Sequence, residues 1–348
     1  AIWTLSYTPG FSQSFQTTDS GQYSQNAAGD LLWAPSHRWT LHVRQDYSVT
    51  TNPFETVGRV PLLPELGGPF APTYNGILAN SKRTALVSNA DISYRLTPRL
   101  AVGVTGGYQN YDYGPAYTTV SGSTVLYSAE QFNGSVFVSD QITRRQVIGL
   151  QAMYSDQYSH GLTSRTQVPA LLLFDNIEFG PHTLLTVWGG PSNPRGSGTF
   201  PVTPTLILQL KSNEWQPMMG ATFAWNGKRN AINVQYVHQI QNMGGLMTTV
   251  TSNFGSAGFR SRLTKRWTGY LRFDIDNQVL WAVTSSDITY RSSWAGGAVS
   301  YDFNRHGTLR VDAAWVKQTA DYALLGAPGN HGLVQFTLDL HFVKGIGR

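Results

Sequence analysis

Arg44, Arg95, Arg260, Arg262, Arg272 and Arg310 fall on the polar side of alternating segments, and so do Asp46, Asp91, Asp274, Asp276, Asp312 and Asp339. Such residues offer two kinds of chemistry. Set opposite one another across water, acidic and basic clusters create a field that orients and filters passing solutes. Set on neighbouring strands, they satisfy one another and help fix register. Both readings are open at the level of sequence. Equal numbers of the two signs argue against strong anion selectivity, although the pI is near 9.3.

Catalytic constellations are weaker. The histidines are His37, His42, His160, His182, His238, His306, His331 and His341. Of these, His42 and His341 share a face with Asp46 and Asp339, where a serine would complete a hydrolytic triad. No spacing demands it, and no GxSxG, HExxH or P-loop is present. Cysteine is absent, which removes thiolate nucleophiles, disulfides and thiolate metal sites. The expectation is a protein that is not an enzyme, with no cofactor and no metal.

The segments that carry these residues alternate with period two, the signature of a half-buried strand. Trp267, Gly269, Leu271, Phe273 and Ile275 oppose Thr268, Tyr270, Arg272, Asp274 and Asp276. The pattern recurs over Trp39–Asp46, Leu309–Trp315 and Val334–Phe342. No segment shows a comparable helical period, so the chain reads as all-β. The most apolar run, Ala170–Phe174, is far too short for a membrane helix.

Seven short polar turns punctuate the strands, around Pro35, Pro98, Arg144, Pro181, Gly227, Lys265 and Arg305. Each is flanked by alternating runs of about ten residues or more, long enough for a tilted strand to cross a bilayer. Longer segments lie between the hairpins, above all the Pro-rich 52–81 and the Gly- and Pro-rich 189–204. Short turns at one end and long loops at the other specify a closed antiparallel transmembrane β-barrel of about sixteen strands. A soluble propeller is the competitor, but its blades need four short strands where two long ones are read here. Thr205–Lys211 fits the count poorly, as a strand extension or part of a loop.

Composition agrees. Charged residues make up 13% and aromatics 12%, while mean hydropathy is only −0.22, because Ser, Thr, Asn and Gln fill the polar positions. The net charge of +5 is localised. Arg38, Arg99, Arg144, Arg145, Lys228, Arg229, Lys265, Arg266 and Arg305 lie at or beside the short turns, and the rest of the chain is net acidic. A basic rim suits phospholipid head groups, whereas nucleic acid wants a basic stripe with interleaved aromatics. Trp33, Trp39, Trp225, Trp267, Tyr301 and Phe303 lie near strand ends, as an interfacial girdle requires.

With Gly332 and the alternation ending at Phe342, the closing segment resembles the C-terminal insertion signal of Gram-negative outer-membrane β-barrels, although Val343–Arg348 trail past that aromatic. More loosely, Ser6-Tyr7-Thr8-Pro9 and the strands through Val49 are similar to barrels associated with exopolysaccharide or exosortase loci. The resemblance implies an outer-membrane location with both termini periplasmic and, since the chain enters a strand directly after Ala1, a leading segment removed. Residues 1–348 are expected to form one barrel domain, with 52–81 as a loop able to constrict the pore. The expected function is a porin-like channel for small hydrophilic solutes with weak ion selectivity, embedded in outer-membrane lipid and able to form a homo-oligomer. Two alternatives stand beside it: a conduit or assembly component for surface polysaccharide export, and a plugged structural or adhesive barrel with loop-borne binding.

Overall fold

The computed structural model describes residues 2–14, 22–50, 83–113, 128–160, 164–201, 207–210, 213–242, 249–280, 282–283, 289–304, 306–320 and 330–345. The Pro-rich 52–81 lies outside the described residues, as does Arg305.

The strands follow the alternating runs. In chain order they are β1 (Ile2–Ser14), β2 (Gln22–Trp33), β3 (Trp39–Thr50), β4 (Arg83–Arg95), β5 (Leu100–Tyr113), β6 (Ala129–Thr143), β7 (Gln146–Ser159), β8 (Ser164–Gly180) and β9 (Thr183–Ser192). Three short pieces follow, β10 (Arg195–Ser197), β11 (Thr199–Pro201) and β12 (Ile207–Leu210). Then come β13 (Gln216–Asn226), β14 (Asn230–Asn242), β15 (Thr249–Arg262), β16 (Trp267–Leu280), the two-residue β17 (Ala282–Val283), β18 (Thr289–Asn304), β19 (Gly307–Ala320) and β20 (Asn330–Gly345).

Sixteen of these form one antiparallel ring. Neighbours in sequence pair in turn from β1 to β9. Pairing then passes from β9 to β13 and on through β14, β15, β16, β18, β19 and β20. The ring closes where β20 pairs with β1, Ile2 opposite Gly345 and Ser14 opposite Leu333. Closure leaves no unpaired edge, the condition for a sheet to sit in hydrocarbon. All seven sequence-predicted turns connect ring neighbours at one end. Thr205–Lys211 is resolved differently: Ile207–Leu210 stands outside the ring and joins β11 and β17 in a small second sheet. Part of the 189–204 segment is ordered strand, with β10 lying against β8.

Large apolar side chains are exposed on the outer face of strand after strand, including Val43, Val104, Val136, Leu150, Leu173, Val187, Val234, Leu271, Phe273, Ile275 and Leu309. A continuous apolar surface of this extent is costly in water and is what lipid requires.

The ring also has an apolar core on its inner side. Phe137, Val168, Ala170, Leu172, Phe174, Trp188, Met218, Val237 and Ile240 form one buried cluster, with Met153 packed against it. Its aromatic rings pack over glycines on the neighbouring strand. Gly103 is directly opposite Phe137, Gly149 opposite Phe174 and Gly220 opposite Trp188. A Cβ on Gly149 would run into the Phe174 ring, and one on Gly220 would fall 2.6 Å from Trp188. The run Ala170–Phe174 is apolar at every position for this reason: Leu171 and Leu173 are exposed outside, while Ala170, Leu172 and Phe174 are buried within. At the loop end the wall also folds back on itself. Thr166 Oγ1 of β8 lies 2.8 Å from Thr249 Oγ1 of β15, although β9, β13 and β14 separate those strands in the ring.

Candidate solute pathway on the inner wall

Strand alternation puts the ionisable residues opposite the lipid-facing ones. Arg44 and Asp46 lie on β3 between exposed Val43 and Tyr47; Arg272, Asp274 and Asp276 lie on β16 among exposed Leu271, Phe273 and Ile275. By the same parity Asp91 and Arg95 on β4, Arg260 and Arg262 on β15, and Arg310 and Asp312 on β19 take the inner face. Asp339 on β20 is in register opposite Thr308 on β19; its side chain lies outside the described residues.

In three places charge pairing departs from both sequence readings. Arg44 grips Asp46 on its own strand, Nε to Oδ2 at 2.7 Å and Nη2 to Oδ1 at 3.0 Å. Arg272 Nε donates to Asp274 Oδ1 at 2.9 Å, and Arg310 Nε donates to both Asp312 oxygens at 2.8 and 3.0 Å. Residues two apart on a strand share a face, so each Arg-x-Asp is locally neutral. It neither opposes a partner across the lumen nor spans two strands to set register. The repeat was legible in the sequence as an arginine two residues before an aspartate, on three strands.

Counting charges also misstates what a solute would meet. Asp46, Asp274 and Asp276 are almost wholly buried, at 2%, 3% and 2% exposure. Asp276 accepts hydrogen bonds from Ser252 Oγ at 2.8 Å and from Gln278 Nε2 at 2.5 Å. Arg95, Arg260 and Arg262, by contrast, are exposed at the short-turn end and make no side-chain hydrogen bond or ion pair among the described residues. Among the twelve residues expected from the sequence, numerical balance therefore becomes a positive excess on the accessible surface. Two guanidinium groups there also lie over aromatic rings, Arg310 5.0 Å from the centroid of Tyr270 and Arg272 5.9 Å from that of Trp294.

His42 is bridged on both sides, with Nε2 2.9 Å from Asp30 Oδ2 and Nδ1 3.1 Å from Asp91 Oδ1. Carboxylates only accept, so both contacts are hydrogen bonds when both ring nitrogens carry a proton. The partners are thus two carboxylates, and Asp46, the acid expected from the sequence, is held by Arg44 instead. The side chain of His341 lies outside the described residues. Asp30 was missed because Ala27-Ala28-Gly29 interrupts the alternation before it. Its face follows only from pairing with β3, where it stands opposite Arg44.

A closed sixteen-strand ring with an apolar outer surface and a polar, charged inner surface is a transmembrane β-barrel of the Gram-negative outer-membrane type. No protein-family model matches the chain, and no curated protein matches it significantly. Solved structures to which it is similar include OmpT, an outer membrane protein of Vibrio cholerae, at 11% identity and a TM-score of 0.48, covering 98% of this chain and 97% of that one. OpdK, an outer membrane protein of Pseudomonas aeruginosa, follows at 10% identity and 0.46, covering 99% and 98%. The CymD monoaromatic hydrocarbon channel is similar at 11% identity and 0.39, covering 100% and 88%.

Proposed function

We propose that the protein is a porin-like channel for small hydrophilic solutes, seated in the outer membrane with its short turns and both termini in the periplasm. The observation that carries this reading is the turn-side inner wall, where Arg44, Arg95, Arg260, Arg262, Arg272, Arg310 and His42 all retain contact with solvent. Of the twelve residues expected from the sequence, the proposed lining keeps Arg44, Asp91, Arg95, Arg260, Arg262, Arg272, Arg310, Asp312 and Asp339, while Asp46, Asp274 and Asp276 are buried behind it. Since the Arg-x-Asp pairs cancel and the unpaired arginines do not, passage favours anions, though by less than about tenfold.

A second reading has an observation of its own. At the loop end Ser48, Ser159, Ser164, Thr249, Val250 and Val316 are essentially inaccessible, which suits a plugged barrel whose loops carry the function. Single-channel conductance in a planar bilayer under a salt gradient separates the two. The channel reading expects steady conductance with a modest chloride preference, reversed in R260E/R262E. A folded barrel that stays electrically silent, with loop-borne ligand binding or export activity, would replace it.

A further inference from the structure

Two of the short turns are built alike. In one, Ser36 Oγ accepts from the backbone N–H groups of Arg38 and Trp39, both at 3.3 Å. In the other, Thr264 Oγ1 accepts from those of Arg266 and Trp267, at 3.2 and 3.0 Å. The Arg38 carbonyl is held by the amide of Arg95 at 2.9 Å, and the Arg266 carbonyl by the amide of Asp302 at 2.9 Å. Trp39 stands opposite Tyr94 with ring centroids 4.7 Å apart and planes at 45°; Trp267 stands opposite Tyr301 at 4.8 Å and 43°. Each guanidinium then reaches the phenol of its own pair, Arg38 Nη1 to Tyr94 at 3.5 Å and Arg266 Nη1 to Tyr301 at 3.2 Å.

Placement gives the device its meaning. Trp39 and Tyr94 lie on the outer face with Val43 and Ile92, and Trp267 and Tyr301 with Leu271 and Val299, at the border of the lipid-facing surface. The tryptophans remain 47% and 45% exposed. Residues 34–38 and 263–266 contain no acidic side chain. A guanidinium has five donors in a planar fork; the tyrosine hydroxyl orients it and leaves the rest of the fork available to an oxyanion. The ring pair below offers an apolar surface with polar tips, suited to a glycerol backbone and the first methylenes of a chain.

We infer that Arg38–Trp39–Tyr94 and Arg266–Trp267–Tyr301 are two equivalent sites for the headgroup phosphate of an anionic phospholipid in the leaflet at the short-turn end. The inference rests on the membrane embedding proposed above and is independent of conduction. Native mass spectrometry of the full barrel, released from micelles doped with phosphatidylglycerol or phosphatidylethanolamine, tests it. Two phosphatidylglycerol molecules should be retained per barrel in preference to phosphatidylethanolamine. R38A and R266A should each lose one and the double variant both, while R144A/R145A, which strips charge from a turn without a ring pair, keeps two. Y94F and Y301F preserve charge and shape and should weaken retention severalfold at their own site.

Equal lipid counts in wild type and R38A/R266A would overturn the sites, and so would an equal loss in R144A/R145A. Displacement of the lipid by excess inorganic phosphate would reassign the clips as general phosphate sites and overturn the lipid assignment. Heat-modifiable mobility and liposome insertion report separately on embedding. A barrel that inserts and conducts yet retains no phosphatidylglycerol refutes the sites and leaves the channel.

Discussion

On β4, β15 and β16 the two ends of the inner wall are made by the same alternation and differ in burial. On β16 the inner face runs Thr268, Tyr270, Arg272, Asp274, Asp276, Gln278 and Leu280, partly exposed as far as Arg272 and buried beyond it. On β4 it runs from exposed Arg95 to buried Val87, Ala85 and Arg83. On β15 it runs from exposed Arg262 to buried Val250. Part of the polarity at the buried end is consumed internally: Gln151 Nε2 donates to Ser135 Oγ at 2.8 Å, Thr105 Oγ1 lies 2.6 Å from the same oxygen, and Ser252 donates to Asp276. A polar inner face is therefore no measure of water. Buried hydroxyls and amides that bond to one another line a filled volume as well as a wet one.

This contrast can be broken most forcefully by truncation. Phe174→Ala, in the apolar core, should cost about 3–5 kcal/mol, while Arg262→Ala, on the open end of the same face, should stay within about 0.5 kcal/mol. Reversible denaturant unfolding in liposomes measures both, and equal costs would show that the buried and open parts of the inner face do not differ in packing. Gly149→Ala sharpens the point, because the new methyl must displace the Phe174 ring; about 1–3 kcal/mol is expected. Pairing it with Phe174→Leu should recover part of that loss. The mildest test leaves stability almost untouched. Since the chain has no cysteine, Arg95→Cys and Ser155→Cys each introduce a single thiol. The first should react with a charged aqueous thiol reagent in the folded barrel, the second only after heat unfolding. Rapid labelling of both would place water at the loop end.

Much of this was legible before any coordinates. The turns at Pro35, Pro98 and Lys265, the lipid-facing sets such as Leu271, Phe273 and Ile275, and the inner-face parity of Arg44 and Arg272 all follow from period two. The partners of those residues do not. His42 could be placed on the inner face, but its bridge to Asp30 needs the register between β2 and β3, which Ala27-Ala28-Gly29 conceals. The apolar residues of β8 gave no hint of a core inside a barrel, since a strand buried on both sides reads like any short apolar run.

Sequence by itself determined that this chain is a ring of long strands with lipid outside and charge inside, because the side-chain period of a strand is two and each face must match its solvent. Tertiary structure alone decided which inner-face charges remain accessible. Whether an aspartate two residues from an arginine is exposed depends on how closely the wall packs at that height: Asp46 and Asp274 are buried, whereas Asp312 stays partly exposed.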